Sequence, residues 1–473
     1  VKNGIYWNED LYKSIEKSVM LNRPNFDNKI YFINDDKYSK YILDTKEQYF
    51  VTSERGDIEP TCKEQLVKDY THVFKAAIEE CYEKGGGTVK VSSGIYYTGA
   101  ITLKSGVNLE LGDNSVIKFI RNKTNAFYPI VNTFWEGIEC YNFSPFIYAI
   151  NEQNIAITGS GIIDGQADYY NWMPWKYGHF GQENQQIIRE KLFKWAENGF
   201  SVKKRILSDE VSTLRPSFLE TVNCKNILIE GISIINSPMW EIHPCLSENI
   251  LIKGVKIKTL YYNNDGIDPE FCKNVIIEDC EIDTGDDCIA IKSGRNNDGR
   301  RINVPSENII IRNNMFKAGH GGITIGSEVA GGVKNIFAEK NIFHSKDLDY
   351  PLRIKTNSVR GGTIENIYVR DSIISKAKIA VIHATMNYEE NDIGEFTPII
   401  KNIFLSNIKT SIENNINAEN GIFLEAYNRS PIKNVYIKDS ELNGVKNTIH
   451  VKNIENIKFE NVKINGEICS INL

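Results

Sequence analysis

The sequence has no run of about 18 apolar residues, which excludes a transmembrane helix. Its first stretch, VKNGIYWNEDLYKS, lacks the apolar core of a signal peptide, and it lacks an initiator Met, as a chain whose leader had been cut away would. Basic surplus is missing too. The 55 Lys and Arg are outnumbered by 61 Asp and Glu, a net charge of −6. That excludes nucleic acid as the main partner, since phosphate-binding surfaces need a basic stripe. The nine cysteines contain no CxxC pair. An odd, dispersed set is no disulfide frame or zinc site, and it favours a reducing, cytoplasmic compartment over secretion after leader removal. Hairpin dipeptides are absent between the apolar runs, which tells against a β-sandwich. Helical patterns are absent there as well, which tells against βαβ units.

What is present is a repeat. The motif is Asn followed by apolar–any–apolar: NIAITG at Asn154, NILIEG at Asn226, NILIKG at Asn249, NVIIED at Asn274 and NIIIRN at Asn308. It continues as NIFAEK at Asn335, NIYVRD at Asn366, NIFLSN at Asn402, NVYIKD at Asn434 and NIKFEN at Asn456. Asn tolerates the left-handed backbone of a corner, and the Ile and Val that follow can stack inside a solenoid of strands. At 473 residues the length suggests about three ordinary domains. A solenoid escapes that rule, because each coil touches only its neighbours. The expectation is a parallel β-helix over residues 61–473.

Residues 1–60 lack the repeat and are expected to form an accessory segment, with a short helix from Asn8 to Leu21 and strands in KIYFIN and KYILDT. THVFKAAIEECYEKGGG, from Thr71, reads as an amphipathic helix with a Gly stop that could cap the open end of the solenoid. A second break, residues 165–215, is an insertion with a helix-like QENQQIIREKLFKWAENG. Its aromatics, Tyr169, Tyr170, Trp172, Trp175, Tyr177 and Phe180, serve either as sugar-stacking surfaces or as the insertion's own small core.

Polar residues that interrupt the apolar pattern mark a working face. NNDGIDPE carries Asp265 and Asp268, TGDDC carries Asp286 and Asp287, AGHGG carries His320, and PLRIKT carries Arg353 and Lys355. Coils stack about 4.8 Å apart, so four clusters one coil apart make a strip about 15 Å long. Arg353 and Lys355 flank Ile354, so both cations point outward if Ile354 points in. Each cluster also has a plain reading: a surface charge pair, a turn carboxylate bonding backbone amides, a His in a Gly-rich turn. Asp268 and Asp283 are read as such turn carboxylates. Asp286 and Asp287 reach one site together only if Gly285 makes a corner. Hydrolysis of a glycosidic bond with inversion would use this set: one acid for the leaving oxygen, and a base for water across a gap of about 6.5–9.5 Å. Crowded carboxyls keep one member protonated.

The segments NNDGIDPE, TGDDCIAIKSG, GHGGITIGSE and LRIKT resemble the four motifs of the polygalacturonases, glycoside hydrolase family 28. GRR at Gly299, PSENIIIRN, GGVKNI and NSPMWEIHP at Asn236 are similar to its bacterial branch. The resemblance runs from about Gly85 to the C-terminus. It implies a right-handed parallel β-helix that hydrolyses α-1,4 links of galacturonan with inversion, without metal or cofactor. By resemblance Asp286 is the general acid, Asp265 and Asp287 hold and activate water, and His320 tunes the acid. Arg353 and Lys355 clamp a galacturonate carboxylate, Tyr388 contacts the sugar, and Asn263 orients the first motif. Two departures stand out: PTCKEQLVKDYTHVF replaces the usual Gly-Asp-rich entry, and residue 264 is Asn where many members have Thr, with little effect expected. The insertion and the Trp135–Tyr148 segment, walling off one end of the cleft, point to exo action. The other readings are a rhamnogalacturonan or xylogalacturonan hydrolase, a calcium-dependent pectate-type lyase, and a sugar-binding solenoid without catalysis.

Overall fold

A computed structural model describes residues 6–51, 61–178, 184–207, 212–344, 347–411 and 416–471. The repeats wind into stacked coils. Strands Lys225–Glu230, Glu248–Lys253, Lys273–Glu278, Ser306–Arg312 and Val333–Glu339 each pair in parallel with the next. Their register is strict: Ile227, Ile250, Val275, Ile309, Ile336, Ile367, Ile403, Val435 and Ile457 lie one above another, all buried. These residues and the stack two positions on, from Ile229 to Phe459, fill the cylinder. The chain is a parallel β-helix.

The corner asparagines explain the repeat. All ten, from Asn154 to Asn456, have φ between 54° and 61°, the left-handed region. Each side chain donates Nδ2–H to the Oδ1 of the asparagine on the preceding coil, from Asn226 on Asn154 to Asn456 on Asn434, at 2.7–3.2 Å. Asn is selected twice, for its backbone and for an amide that both donates and accepts.

In every triplet but the last, where it is Lys458, the middle residue faces outward and is apolar or aromatic too. Leu228, Leu251, Ile276, Ile310 and Phe337 are covered by helix α1 (Glu9–Leu21) through Tyr12, Ile15 and Val19. Asn8 caps this helix by accepting from Leu11 N–H. The N-terminal segment adds strand Ile30–Phe32, which pairs in parallel with Gly87–Val91, and an antiparallel ribbon of Leu43–Val51 with Thr61–Asp69. Helix α2 (Thr71–Glu83) closes the end of the core with Val73, Phe74, Ala77, Ile78 and Cys81. It stops at Gly85–Gly87, all at positive φ; a Cβ on Gly86 would lie 2.5 Å from Gly106 O.

The second long face carries strands Ile289–Ile291, Gly319–Ile325, Leu348–Lys355, Ala380–Thr385, Ala418–Glu425 and Val445–Lys452, all parallel. On earlier coils it continues as Ile147–Ile150, Leu219–Val222 and Ile242–Cys245, joined through the bridges Ile242↔Ile267 and Ile267↔Ile289. Over those earlier coils lie the antiparallel hairpin Ile130–Trp135/Ile138–Phe143 and helices α3 (Met173–Tyr177), α4 (Gln186–Glu197) and α5 (Asn296–Ile302). Helix α5 was not legible as a helical pattern: it is two turns long and ends on left-handed Asn303. Of the nine cysteines, all but Cys62 and Cys469 are buried, and all are free. No helix of the described residues is long and apolar enough to cross a membrane.

Candidate active site

Consecutive coils bring the clusters together at one turn. Asp265 closes the turn after strand Lys256–Thr259 and Asp286 and Asp287 lie in the turn after Glu281–Thr284, whereas His320 sits not in a turn but in strand Gly319–Ile325, just after Met315–Phe316. Backbone bonds lock the rungs: Gly266 N donates to Asp287 O, Cys288 N to Gly321 O, and His320 N to Asp286 O. Residues 285–288 leave the strand, so Asp286 and Asp287 escape the alternation that would separate them. Gly285 permits this: a Cβ there would lie 2.1 Å from Tyr261 O. Gly321 permits the next approach, because its Cβ would fall 2.6 Å from Asp287 Oδ1. Asp265, Asp286 and Asp287 converge, with carboxylate oxygens within 4.8 Å of one another. That is tighter than the gap expected for an inverting pair. The three come from one turn stack rather than from two opposing walls.

Three cations balance them. Lys355 Nζ lies 2.7 Å from Asp287 Oδ2, and Arg353 NH1 3.7 Å from Asp287 Oδ1. Thr324 Oγ1 also donates to Asp287, at 3.0 Å. Ile354 does turn into the core between the two cations, which are themselves largely buried and so unlike a surface pair. The third cation, Lys292, was missed. Its Nζ sits 3.5 Å from Asp265, 3.1 Å from Glu328 and 4.3 Å from the Trp240 ring centre. The same alternation that placed Arg353 beside Ile354 places Lys292 outward beside Ile291, so its signal was present in TGDDCIAIKSG. The carboxylate spacing would also suit a metal ion, but here Lys355, Arg353 and Lys292 supply the positive charge.

The electrostatics assign the protons. Burial, then the charge of Asp286, pushes the Asp265 carboxyl well above its usual range. Burial pushes Asp286 up as well, but the His320 hydrogen bond and the charges of Lys355, His320 and Lys292 outweigh it and bring it to about 2. His320 Nδ1 is 3.2 Å from Asp286 Oδ1, and that bond raises the imidazole. Burial and crowding thus favour a proton on Asp265 rather than on Asp286, and the bond to Asp286 favours the charged form of His320.

Tyr388 lies beside the clamp, its ring centre 5.0 Å from Lys355 Nζ and 5.5 Å from Arg353. Tyr350 stacks under Arg353 at 4.2 Å. Asn263 is already held: buried Arg215 donates to its Oδ1 at 2.8 Å and to Tyr262 O at 3.1 Å. Asn264 is more than a neutral replacement. Its amide bonds Ser237 O, Met239 O and Tyr261 N and knits the turn that presents Asp265. Asp268 is not a turn carboxylate. It is fully buried with both oxygens unbonded, and burial, then the charge of Asp265, pushes it well up. Buried Glu241, from NSPMWEIHP, is likewise pushed well up by burial, against a hydrogen bond with Thr259. Asp283 sits within strand Glu281–Thr284, also not in a turn.

The groove is closed at one end. On the coils before Asp265 the outward row Tyr148, Glu220, His243 is fully covered. Thr133 and Phe134 of the hairpin bond Glu220, and His243 bridges Glu220 and Glu270, which raise it to about 9 against burial. Trp135, Ile138, Leu192, Leu214 and Trp240 form one roof cluster above. On the later coils the row runs from largely buried Arg353 through half-buried His383 and Phe423 to exposed His450. Within the insertion Trp172 and Trp175 belong to the core, Tyr177 packs on Tyr262 at 5.6 Å, and Tyr170 stacks on Phe50 at 5.1 Å. Tyr169 is about half exposed, and Phe180 lies outside the described residues.

Known proteins resemble the chain as a whole. A crystal structure of a hyperthermoactive exopolygalacturonase from Thermotoga maritima is 38% identical, covers 98% of both chains and superposes with a TM-score of 0.85. An exo-poly-alpha-D-galacturonosidase of Dickeya chrysanthemi is 27% identical over 68% of this chain and 55% of its own. A probable polygalacturonase of Vitis vinifera is 28% identical over 69% of this chain. The match spans 62% of the Vitis protein, so the chain aligns with less than two thirds of the length of either relative. The profile described as glycosyl hydrolases family 28 matches residues 124–466, and the chain belongs to that family.

Proposed function

We propose that the protein hydrolyses α-1,4-galacturonosidic bonds of galacturonan or its oligomers, acting from a chain end. The observation that carries this is the convergence of Asp265, Asp286 and Asp287 beside Arg353 and Lys355 in a groove roofed at one end. An anionic sugar needs cations on an acidic protein, and Arg353 offers a planar fork that suits a carboxylate. Residues 61–473 form the catalytic solenoid in this reading, the insertion 165–215 flanks the cleft, and helix α1 of the accessory segment 1–60 braces the outer face.

Asp286, backed by His320, delivers a proton to the leaving oxygen. Asp265 and Asp287 hold the attacking water. A proton on Asp286 removes the charge that keeps Asp265 protonated, so the two titrate as one coupled set. The competent form has the proton on Asp286 and the charge on Asp265. Arg353, Lys355 and Tyr388 hold the sugar on the leaving side. The closed end and the named activities of the Thermotoga and Dickeya relatives support exo action.

Proton NMR during digestion of polygalacturonate tests the chemistry. The β-anomer should appear first, with rates unchanged by chelator. An initial α-anomer would contradict inversion, and an ultraviolet-absorbing unsaturated product that chelator abolishes would mark a lyase. Faster cleavage of pure rhamnogalacturonan or xylogalacturonan than of galacturonan would move the assignment within the family.

A further inference from the structure

A second cavity lies on the same turn stack, beyond the roof. Strand Ser115–Phe119 pairs with Ile162–Asp164, then Ser233–Ile235, then Lys256–Thr259, the strand before Asp265. The turn leaving Phe119 therefore stands three coils, about 14 Å, before that of Asp265. It carries Arg121, Asn122 and Lys123. With Lys46, Glu47, Gln48, Glu64 and Trp175 these enclose a cavity of about 450 Å³, within the size range of small-molecule sites. Helix α3 separates it from the catalytic groove: Trp175 lines the cavity, whereas Lys176, the next residue, lies near enough to Asp286 to feel its charge.

The charges in this cavity do not cancel. Lys46 is paired with Glu64 at 3.3 Å, and Arg121 with Asp168 at 2.7 Å. Glu47 is buried, pushed up by that burial, and accepts from Arg121 N and Gln166 Nε2. Lys123 has no carboxylate within ion-pair distance among the described residues. Its ammonium donates to Asn171 Oδ1 at 3.3 Å and lies 5.5 and 5.4 Å from the ring centres of Trp172 and Trp175. Burial, then the charge of Arg121, lowers it to about 8. A desolvated cation with apolar walls and an open polar side calls for an anion. Trp175 offers an apolar surface, and Gln48 and Asn122 offer hydroxyl partners.

We propose that this cavity is an accessory binding site for a uronate sugar, its carboxylate on Lys123, separate from the catalytic groove. The demand for an anion rests on Lys123; the choice of a uronate rests on the proposed activity. Calorimetric titration of the full chain with galacturonate, and with galactose as the uncharged control, tests it. Galacturonate should still bind when Arg353→Ala weakens the catalytic clamp. Adding Lys123→Met should weaken that binding at least tenfold, Lys123→Arg should restore it, and galactose should bind neither form. Lys123→Met alone should leave turnover of short oligomers unchanged, and an unchanged thermal midpoint establishes that it folds. Loss of all binding on Arg353→Ala, indifference to Lys123→Met, or equal binding of galactose would overturn the site. Uronate binding at Lys123 in a chain that cleaves nothing would sink the activity and leave the site standing.

Discussion

At the scale of the residue, the proposed mechanism divides two protons among three carboxyls and a histidine. Asp286→Asn removes the acid but keeps size and most contacts. Turnover should fall by about 10²–10⁴-fold with oligogalacturonide binding kept; unchanged turnover in a steady-state assay would remove Asp286 from the chemistry. His320→Asn tests the shared proton. The Asp286–His320 pair keeps its proton up to the raised titration of the imidazole. Without His320 the proton rests on Asp286 alone, under the lowering charges of Lys355 and Lys292. The alkaline limb of the kcat/KM profile should therefore move to lower pH, and a limb that stays in place would assign it to another group. The outward cations were legible because i and i+2 alternation around Ile354 fixes their direction. Asp268 and Glu241 were not, because nothing local distinguishes a turn carboxylate from one sealed under a roof built 100 residues earlier.

At the scale of the element, the corner asparagines carry the most information per residue. The sequence motif alone placed ten left-handed corners; the side-chain ladder that joins them needed the register of neighbouring coils. Asn308 donates to Asn274 and accepts from Asn335 at φ 60°. Asn308→Ala should cost about 2–3 kcal/mol, from about 1–2 for left-handed backbone and the rest from lost ladder bonds. Asn308→Gly keeps the backbone and should cost less. Urea midpoints for the two variants give the order, and equal midpoints would deny the backbone its share. The short helix from Asn8 was expected, and the capping helix from Thr71 was visible as an amphipathic period. What α1 covers was not, because its partner row, Leu228 to Phe337, is assembled from five coils.

At the scale of the whole molecule, function follows from one asymmetry. A solenoid by itself makes an open groove along its length. Here the hairpin at 130–143 and the insertion bury that groove on the coils before Asp265, while the coils after Arg353 leave it open. The sequence pointed to the insertion and to Trp135–Tyr148, but the covering hairpin begins at Ile130 and Ile147–Tyr148 belong to a solenoid strand; which face and which end are covered is set by tertiary packing through Trp135, Leu192 and Trp240. A groove closed on one side holds a chain end rather than a chain middle. The direct measurement is a timed digest of polygalacturonate with products resolved by size. Monomer or dimer from the first minutes, with little early loss of viscosity, is the predicted result; a ladder of mixed oligomers at early times would contradict it.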